Sequence, residues 1–354
     1  MCDIVLHIGT PKTGTTALQN FLKINNELLN QTGVVYPSFS IPKQDSKNGT
    51  FLRKYCEAVL YKDNSYKPDG FCQDWMTITK AVTEYDTVVL SDEGIYLTPD
   101  TYKDDINPLA EFWGIMLAKL ATLKIRKIIV IVYLRNQDEY ISSLWKHECK
   151  TGRNRFSFVD FSEQKRNQNS MNYCKILRVI KSCLREADSI IVRRYDRANF
   201  IGGDIFHDFC SVTNIGWNPK FILPDKDSNQ SISYDVAEVV RSFYYCGRKG
   251  SPLRDDIIIP FAYELSNKFP DDLQVTPFTN NELRLLKEKY NAGNKEVANI
   301  YLYDDWLFVP TNKYSVEWKP NQKRVAKLKV MLFIRLLFNK NWYTFIHKLI
   351  QSFF

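Results

Sequence analysis

No two of the eight cysteines, at positions 2, 56, 72, 149, 174, 183, 210 and 246, form a Cys-x-x-Cys pair. That absence removes the redox dithiol and the paired spacing of a structural zinc site, and leaves free thiols as the expectation. Histidine is scarce, with four dispersed copies, and no Cys/His cluster has metal-ligand spacing, so no metal is expected. No uninterrupted apolar run reaches the about 20 residues that a membrane-spanning helix needs. A secretory signal is also missing ahead of the first apolar run, which begins at Ile4 and reaches Gly9 with no basic stretch before it. A reducing cytoplasm is the expected compartment.

What is present is ordinary for a globular protein: 354 residues, 44% hydrophobic and 25% charged. A prior of about 150 residues per domain allows two domains, and one α/β domain with appendages fits equally well. The net charge of +8 asks for anionic partners. A phosphorylated nucleotide, an acidic glycan, nucleic acid or a membrane surface would each answer, and charge alone does not choose among them.

The most informative stretch is Ile4-Val5-Leu6-His7-Ile8-Gly9-Thr10-Pro11-Lys12-Thr13-Gly14-Thr15-Thr16. An apolar run interrupted only by His7 predicts a buried parallel strand. Gly9, Pro11 and Gly14 then force a compact turn, and Thr15 and Thr16 open a helix. Free N–H groups at a helix start, together with its dipole, favour an anion, and one ammonium and several hydroxyls add donors. The spacing of Gly9 and Gly14 is that of a nucleotide P-loop, but Thr15 stands where that loop keeps its lysine and Lys12 sits inside the loop. Ordinary ATP or GTP chemistry is thereby disfavoured. A Gly-rich turn that binds nothing is the plain alternative.

Pro-Lys-Thr-Gly-Thr-Thr directly after a first strand resembles the 5′-phosphosulfate loop of sulfotransferases that use 3′-phosphoadenosine 5′-phosphosulfate (PAPS). A second segment carries the same resemblance. Lys127 to Leu134 is a dense β-branched run that predicts the most central strand, and it ends at Arg135-Asn136-Gln137 with Ser143 eight residues after the arginine. This resembles the family's 3′-phosphate motif, in which an arginine ends a strand and the serine lies on the next helix. Arginine suits the task because its planar fork holds a phosphate bidentately. The family's proline after Arg-Asn is Gln137 here, and its aromatic after the serine is displaced past Leu144 to Trp145. Alone, Arg135 would equally suit a strand-end ion pair with Asp138 or Glu139.

Between the two motifs, Thr87-Val88-Val89-Leu90-Ser91 predicts a strand delivering Asp92-Glu93 to the edge where open α/β sheets hold ligands. The family's catalytic base, histidine or glutamate, follows the strand in this position, so the resemblance makes Glu93 the general base; a capping or salt-bridged surface acid is the alternative. Other segments fill in the framework. Leu18, Phe21, Leu22, Leu28 and Leu29 have helical spacing, Val34 to Tyr36 forms a short strand, and Leu109 to Leu120 carries a core stripe. Residues 38–78 read as a variable insertion, polar and irregular from Ser38 to Tyr66, that contacts an acceptor or is simply solvated. Ser189 to Asp196 is a further strand, and its end resembles the position near the adenine, which Tyr195 would occupy. Asn229 to Ser233 with its following helix, and Tyr290 to Phe308, resemble segments of bacterial glycan-type enzymes, so the likeness runs from Ile4 to about Phe308 with strong motifs at two places.

From Gln322 onward, lysine and arginine interleave with apolar and aromatic residues. A membrane-surface helix pair and a helical hairpin packed on the main domain both fit that composition. The expected architecture is therefore a P-loop-like three-layer α/β fold over 1–310, a central parallel sheet flanked by helices, with a helical basic-aromatic extension over 311–354. The resemblance implies transfer of a sulfuryl group from PAPS to a hydroxyl of a carbohydrate, a surface polysaccharide or lipid-linked precursor, releasing adenosine 3′,5′-bisphosphate (PAP). Pro11, Lys12, Thr13, Gly14, Thr15, Thr16, Arg135, Ser143 and Tyr195 would hold the donor, Lys12 and Glu93 would carry the chemistry, and an anionic inner-membrane surface would be a peripheral partner in place of nucleic acid. Two rivals are a P-loop-like kinase and a non-catalytic membrane adaptor on a degenerate nucleotide fold.

Overall fold

The computed structural model describes residues 1–39, 47–61, 68–101, 107–224, 231–244, 251–271, 275–309 and 316–338. Along the chain run β1 (Cys2–His7), α1 (Thr15–Ile24), α2 (Asn26–Asn30), β2 (Val34–Val35), α3 (Thr50–Tyr61), α4 (Pro68–Glu84) and β3 (Thr87–Ser91). Then come α5 (Gly94–Thr101), α6 (Asn107–Ala121), β4 (Ile125–Leu134), α7 (Gln137–Lys150), α8 (Phe158–Lys165), α9 (Tyr173–Cys183), β5 (Ser189–Arg194) and α10 (Ile205–Val212). The remainder is α11 (Tyr234–Ser242), α12 (Ile259–Lys268), β6 (Val275–Thr276), α13 (Asn280–Tyr301), β7 (Val316–Glu317) and α14 (Gln322–Leu337). These elements group into two compact units, the first made of residues 1–136, 168–225 and 290–310 and the second of 137–167, 226–289 and 311–354.

The first unit is a three-layer α/β arrangement on a five-stranded parallel sheet of order β2-β3-β1-β4-β5. Ile4, Leu6, Val88, Leu90, Val130 and Val132 pack on one face with residues of α3, α4, α6 and α9. Val5, Val89, Ile129, Ile131 and Tyr133 pack on the other with α1 and α10. Burial on both faces explains why the inner strands read as continuous apolar runs. The central strand is β1, every residue of which is buried, whereas β4 lies one place to its side. The sequence expectation that β4 is most central is corrected because any strand covered on both faces and paired on both edges carries the same apolar signature.

Two further differences are local. The stripe from Leu18 to Leu29 is broken at Asn25, whose Nδ2 donates to the carbonyls of Phe21 (2.9 Å) and Ile222 (2.8 Å) and so ends α1 before α2 starts. Within the segment that reads as polar and irregular, Thr50–Tyr61 is helical, because Phe51, Leu52 and Cys56 are buried at helical spacing. Its aromatics join a cluster in which Tyr55 stacks on Phe71 at 4.3 Å and Lys119 Nζ lies 4.4 Å from the Trp75 ring centre. Lys43, Lys62 and Tyr66 of that insertion lie outside the described residues, as do Asn229 and Gln230 and the tail from 339.

The second unit is built on helices. Buried Trp145 of α7 meets Phe158 edge-on with centroids 5.6 Å apart, Tyr234 at 6.5 Å and Trp318 at 6.0 Å. Arg254 is buried as well, and its Nη1 donates to the carbonyls of Cys149 (3.2 Å) and Lys150, which adds partners to acceptors at the end of α7. Asp235 at the start of α11 accepts from Trp318 Nε1 (3.1 Å), Asn321 N (3.3 Å) and Arg324 Nη1 (3.2 Å) and thereby fastens the start of α14.

Candidate functional site

Parallel register places the ends of the strands side by side: His7 faces Ser91 on one flank and Ile131 on the other, and Leu134 faces Arg194. The loops leaving the strands therefore meet at one edge of the sheet. The helix after β1 covers one face while those after β3 and β4 cover the other, so the chain reverses direction across the β1/β4 pair. Open α/β sheets bind ligands in the crevice that such a reversal leaves.

The loop after β1 is pinned to β4. Ile8 N donates to Ile131 O (3.0 Å), and both Thr10 N (3.2 Å) and Thr10 Oγ1 (2.9 Å) donate to Tyr133 O. Three of its residues are left-handed: Gly9 at φ +29°, Lys12 at +69° and Gly14 at +72°. For lysine that conformation is strained, and it persists because the surrounding hydrogen bonds fix it. Gly14 is the N-cap of α1 and makes no side-chain capping bond, and the first turn holds no acidic residue. Its N–H donors are thus left without the usual internal partner. A Cβ on Gly14 would sit 3.2 Å from Tyr195 Cε2 and 3.3 Å from its hydroxyl, so Tyr195 packs directly on this turn.

Arg135 leaves β4 toward the same loop. Its Nη1 donates to Lys12 O (3.1 Å), its own carbonyl accepts from Tyr173 Oη (2.6 Å), and its guanidinium carbon lies 5.6 Å from the centre of the Tyr195 ring. Tyr195 N in turn donates to Leu134 O (2.7 Å). Beneath them, buried Asp208 accepts from Tyr133 Oη (2.9 Å), from Ile201 N (2.9 Å) and from both Nε and Nη2 of Arg193, which ties β4, β5 and α10 together.

The loop residues Lys12 and Gly14 are brought together in this way with Arg135 and Tyr195, from three places far apart in sequence. Thr13 is placed differently from a donor to a ligand: its hydroxyl donates to Thr10 O (2.5 Å) inside the loop, which leaves its backbone N–H as what it can offer outward. Thr15 is buried and Thr16 exposed, with Pro11 half-buried. Ser143 lies half-buried on α7, in the second unit.

Glu93, just past β3, is largely buried, with its side chain 14% exposed. Lys47 Nζ meets Oε1 at 2.5 Å, and Gln19 Nε2 donates to Oε2 at 3.3 Å. The same Gln19 nitrogen lies 3.0 Å from Ser91 Oγ, which lies 2.8 Å from His7 Nδ1. A polar chain therefore runs under the loop from His7 through Ser91 and Gln19 to Glu93 and Lys47. The neighbouring Asp92 is engaged elsewhere, by Arg53 Nε (2.7 Å) and Gly94 N (2.8 Å). Two basic residues of the 38–78 segment thus act on the acidic end of β3. Neither Gln19 nor Lys47 stands out in the sequence. Gln19 had one signal, a polar residue between the core positions Leu18 and Phe21, and Lys47 had none, since only the fold brings it to Glu93.

Full burial holds His7 neutral by pushing its pKa from the ordinary 6.5 down to about 3. Its Nε2 has no hydrogen-bond partner among the described residues and lies 3.0 Å from where a Gly9 Cβ would be. Between pH 3 and 6.5 the unfolded chain binds a proton that the native chain refuses. Stability from this group is accordingly complete above pH 6.5 and lost as pH falls toward 3, with a slope approaching about 1.4 kcal/mol per pH unit. Urea unfolding between pH 4.5 and 7 is expected to show that slope in the wild type and to lose it in His7→Gln; equal slopes would place the acid sensitivity elsewhere.

Among the described residues no three His, Cys, Asp or Glu side chains converge as a metal site would require. No protein-family model, curated protein or solved structure matches the chain.

Proposed function

We propose that the chain is a sulfotransferase of P-loop-like fold that moves a sulfuryl group from PAPS to a carbohydrate hydroxyl. The observation that carries this reading is the joining of Arg135 to the left-handed Lys12 loop at the strand ends of β4 and β1. A cation, an arginine fork and an uncapped helix start at one place form a donor set for a nucleotide with phosphates at two positions. The sequence resemblance assigns the 5′ end to the loop and the 3′ phosphate to Arg135.

Bound PAPS supplies the sulfuryl group: the acceptor oxygen bonds to sulfur as the bond from sulfur to the 5′-phosphate oxygen breaks, and the electron pair departs with that phosphate. Glu93 takes the acceptor's proton. Each of its oxygens receives one donor, from Lys47 and from Gln19, which leaves lone pairs for an incoming hydroxyl and fixes the carboxylate's orientation. Lys12 and the N–H groups opening α1 stabilise the charge that builds on the departing oxygen. Tyr195, packed on Gly14 and under the Arg135 guanidinium, offers an aromatic face for the adenine.

Calorimetric titration with PAP, 5′-AMP and ATP tests this without knowledge of the acceptor. PAP is expected to bind selectively, and Arg135→Ala to weaken it about 10- to 100-fold, the size of a lost charge-assisted hydrogen-bond pair. Equal or absent binding of all three would overturn the reading, and magnesium-dependent preference for ATP would put a kinase in its place.

A further inference from the structure

The net positive charge of this chain is confined to one end. Every Asp and Glu lies at or before Glu317, while the 37 residues after it carry eight of the 48 Lys and Arg. The 40 basic residues that remain balance the 40 acidic ones, so residues 1–317 are neutral and the whole net charge of +8 belongs to 318–354.

Helix α14 opens that segment and has two distinct faces. Val325, Leu328, Leu332 and Leu336 form a buried stripe at helical spacing. The opposite stripe begins with exposed Lys323 and Lys327 and continues with Val330 (57% exposed), Ile334 (47%) and Leu337 (45%), with Phe333 (46%) and Phe338 (87%) beside it. Such a set of large apolar side chains in water is costly, and contiguous patches of this kind mark interaction surfaces. The flanking arginines are neutralised at home, Arg324 by Asp235 (3.2 Å) and Arg335 by Glu264 (2.7 Å). No described residue forms an ion pair with Lys323 or Lys327 within the bounds of a salt bridge, and both project on the outward stripe.

We infer that the outward face of α14 docks this protein on an anionic membrane surface. The occupant has to satisfy two demands at once: negative charge near Lys323 and Lys327, and an apolar phase for Val330, Ile334 and Leu337. An anionic bilayer meets both, with headgroups for the lysines and the acyl boundary for the apolar side chains. Nucleic acid supplies only the charge. A second copy paired about a two-fold axis would set one acid-free surface against another and place like charges together. In sequence the following stretch continues the same chemistry, with Lys340 and Lys348 among Trp342, Tyr343 and Phe345. Among the described residues no helix is long and apolar enough to cross a membrane, so contact in the plane of the interface is the mode that fits.

Co-sedimentation of the full chain with phosphatidylcholine vesicles, with and without phosphatidylglycerol, tests the inference, and it needs no nucleotide and so stands apart from the donor titration. Binding is expected only with the anionic lipid and is expected to fall with added salt. The pair Lys323→Glu and Lys327→Glu should weaken it about tenfold or more, and the pair Ile334→Glu and Leu337→Glu should abolish it. All four positions are exposed, so melting temperatures should stay at the wild-type value and exclude misfolding. Equal binding to neutral vesicles, no binding to either, or wild-type binding by the Ile334→Glu, Leu337→Glu variant would overturn the proposal. A dimer in sedimentation equilibrium that these glutamates dissociate would assign the face to a second copy instead.

Discussion

Glu93→Gln is expected to slow sulfuryl transfer about 10²- to 10⁴-fold, the usual share of a general base, while PAP affinity stays at its wild-type value. The substitution keeps the shape of the side chain and removes its ability to accept a proton. It also changes the local hydrogen bonding, because Lys47 and Gln19 both point donors at the carboxylate and a glutamine has only one oxygen to receive them. One donor is then left facing the new amide, so a modest loss of stability should accompany the loss of rate. The two effects separate with Lys47→Met, which removes the ion pair and keeps Glu93. If Glu93 is the base, Lys47→Met retains most of the transfer rate and shares the stability loss. If Glu93 serves only as a partner for Lys47, Glu93→Gln and Lys47→Met will lose stability alike and neither will lose rate. PAP release from PAPS, followed with an acceptor found by screening, is the measurement for rate, and thermal melting is the measurement for stability.

Much of this site was legible in the chain because its parts are local. A strand, a Gly-rich turn and a helix start succeed one another within residues 2–24, and turn chemistry alone predicts them. Arg135 and Tyr195 were legible for a related reason: each follows the last residue of a strand, and in a parallel sheet such residues collect at one edge. What could not be read is what the edge does with them. Arg135 holds the Lys12 carbonyl across 123 positions of sequence, and Lys47 reaches Glu93 from a segment that read equally as an acceptor contact or a solvated insertion. The same limit applies to the helical Thr50–Tyr61, where the burial of Phe51, Leu52 and Cys56 overrides a polar average. Periodicity reports which side of an element is dry and is silent on which strand is central, so β4 could be mistaken for β1.

Lys12 provides a test in which stability and activity should move in opposite senses. Its backbone is left-handed at φ +69°, a conformation costing a non-glycine residue about 1–2 kcal/mol. Glycine takes that conformation freely, at the cost of added freedom in the unfolded chain worth about 0.5–1 kcal/mol. Lys12→Gly should therefore be no less stable than the wild type. The backbone carbonyl that accepts from Arg135 is unaffected by the change, so the loop should keep its anchor and PAP its 3′-phosphate contact. What disappears is the ammonium, which under the proposed function would meet the departing 5′-phosphate oxygen. Loss of one such electrostatic contact lowers rates about 10²- to 10³-fold. Lys12→Ala should show the same loss of rate without the relief, since alanine inherits the strained backbone. If Lys12→Gly transfers sulfuryl at the wild-type rate, the ammonium has no part in the chemistry and the loop acts through its backbone alone.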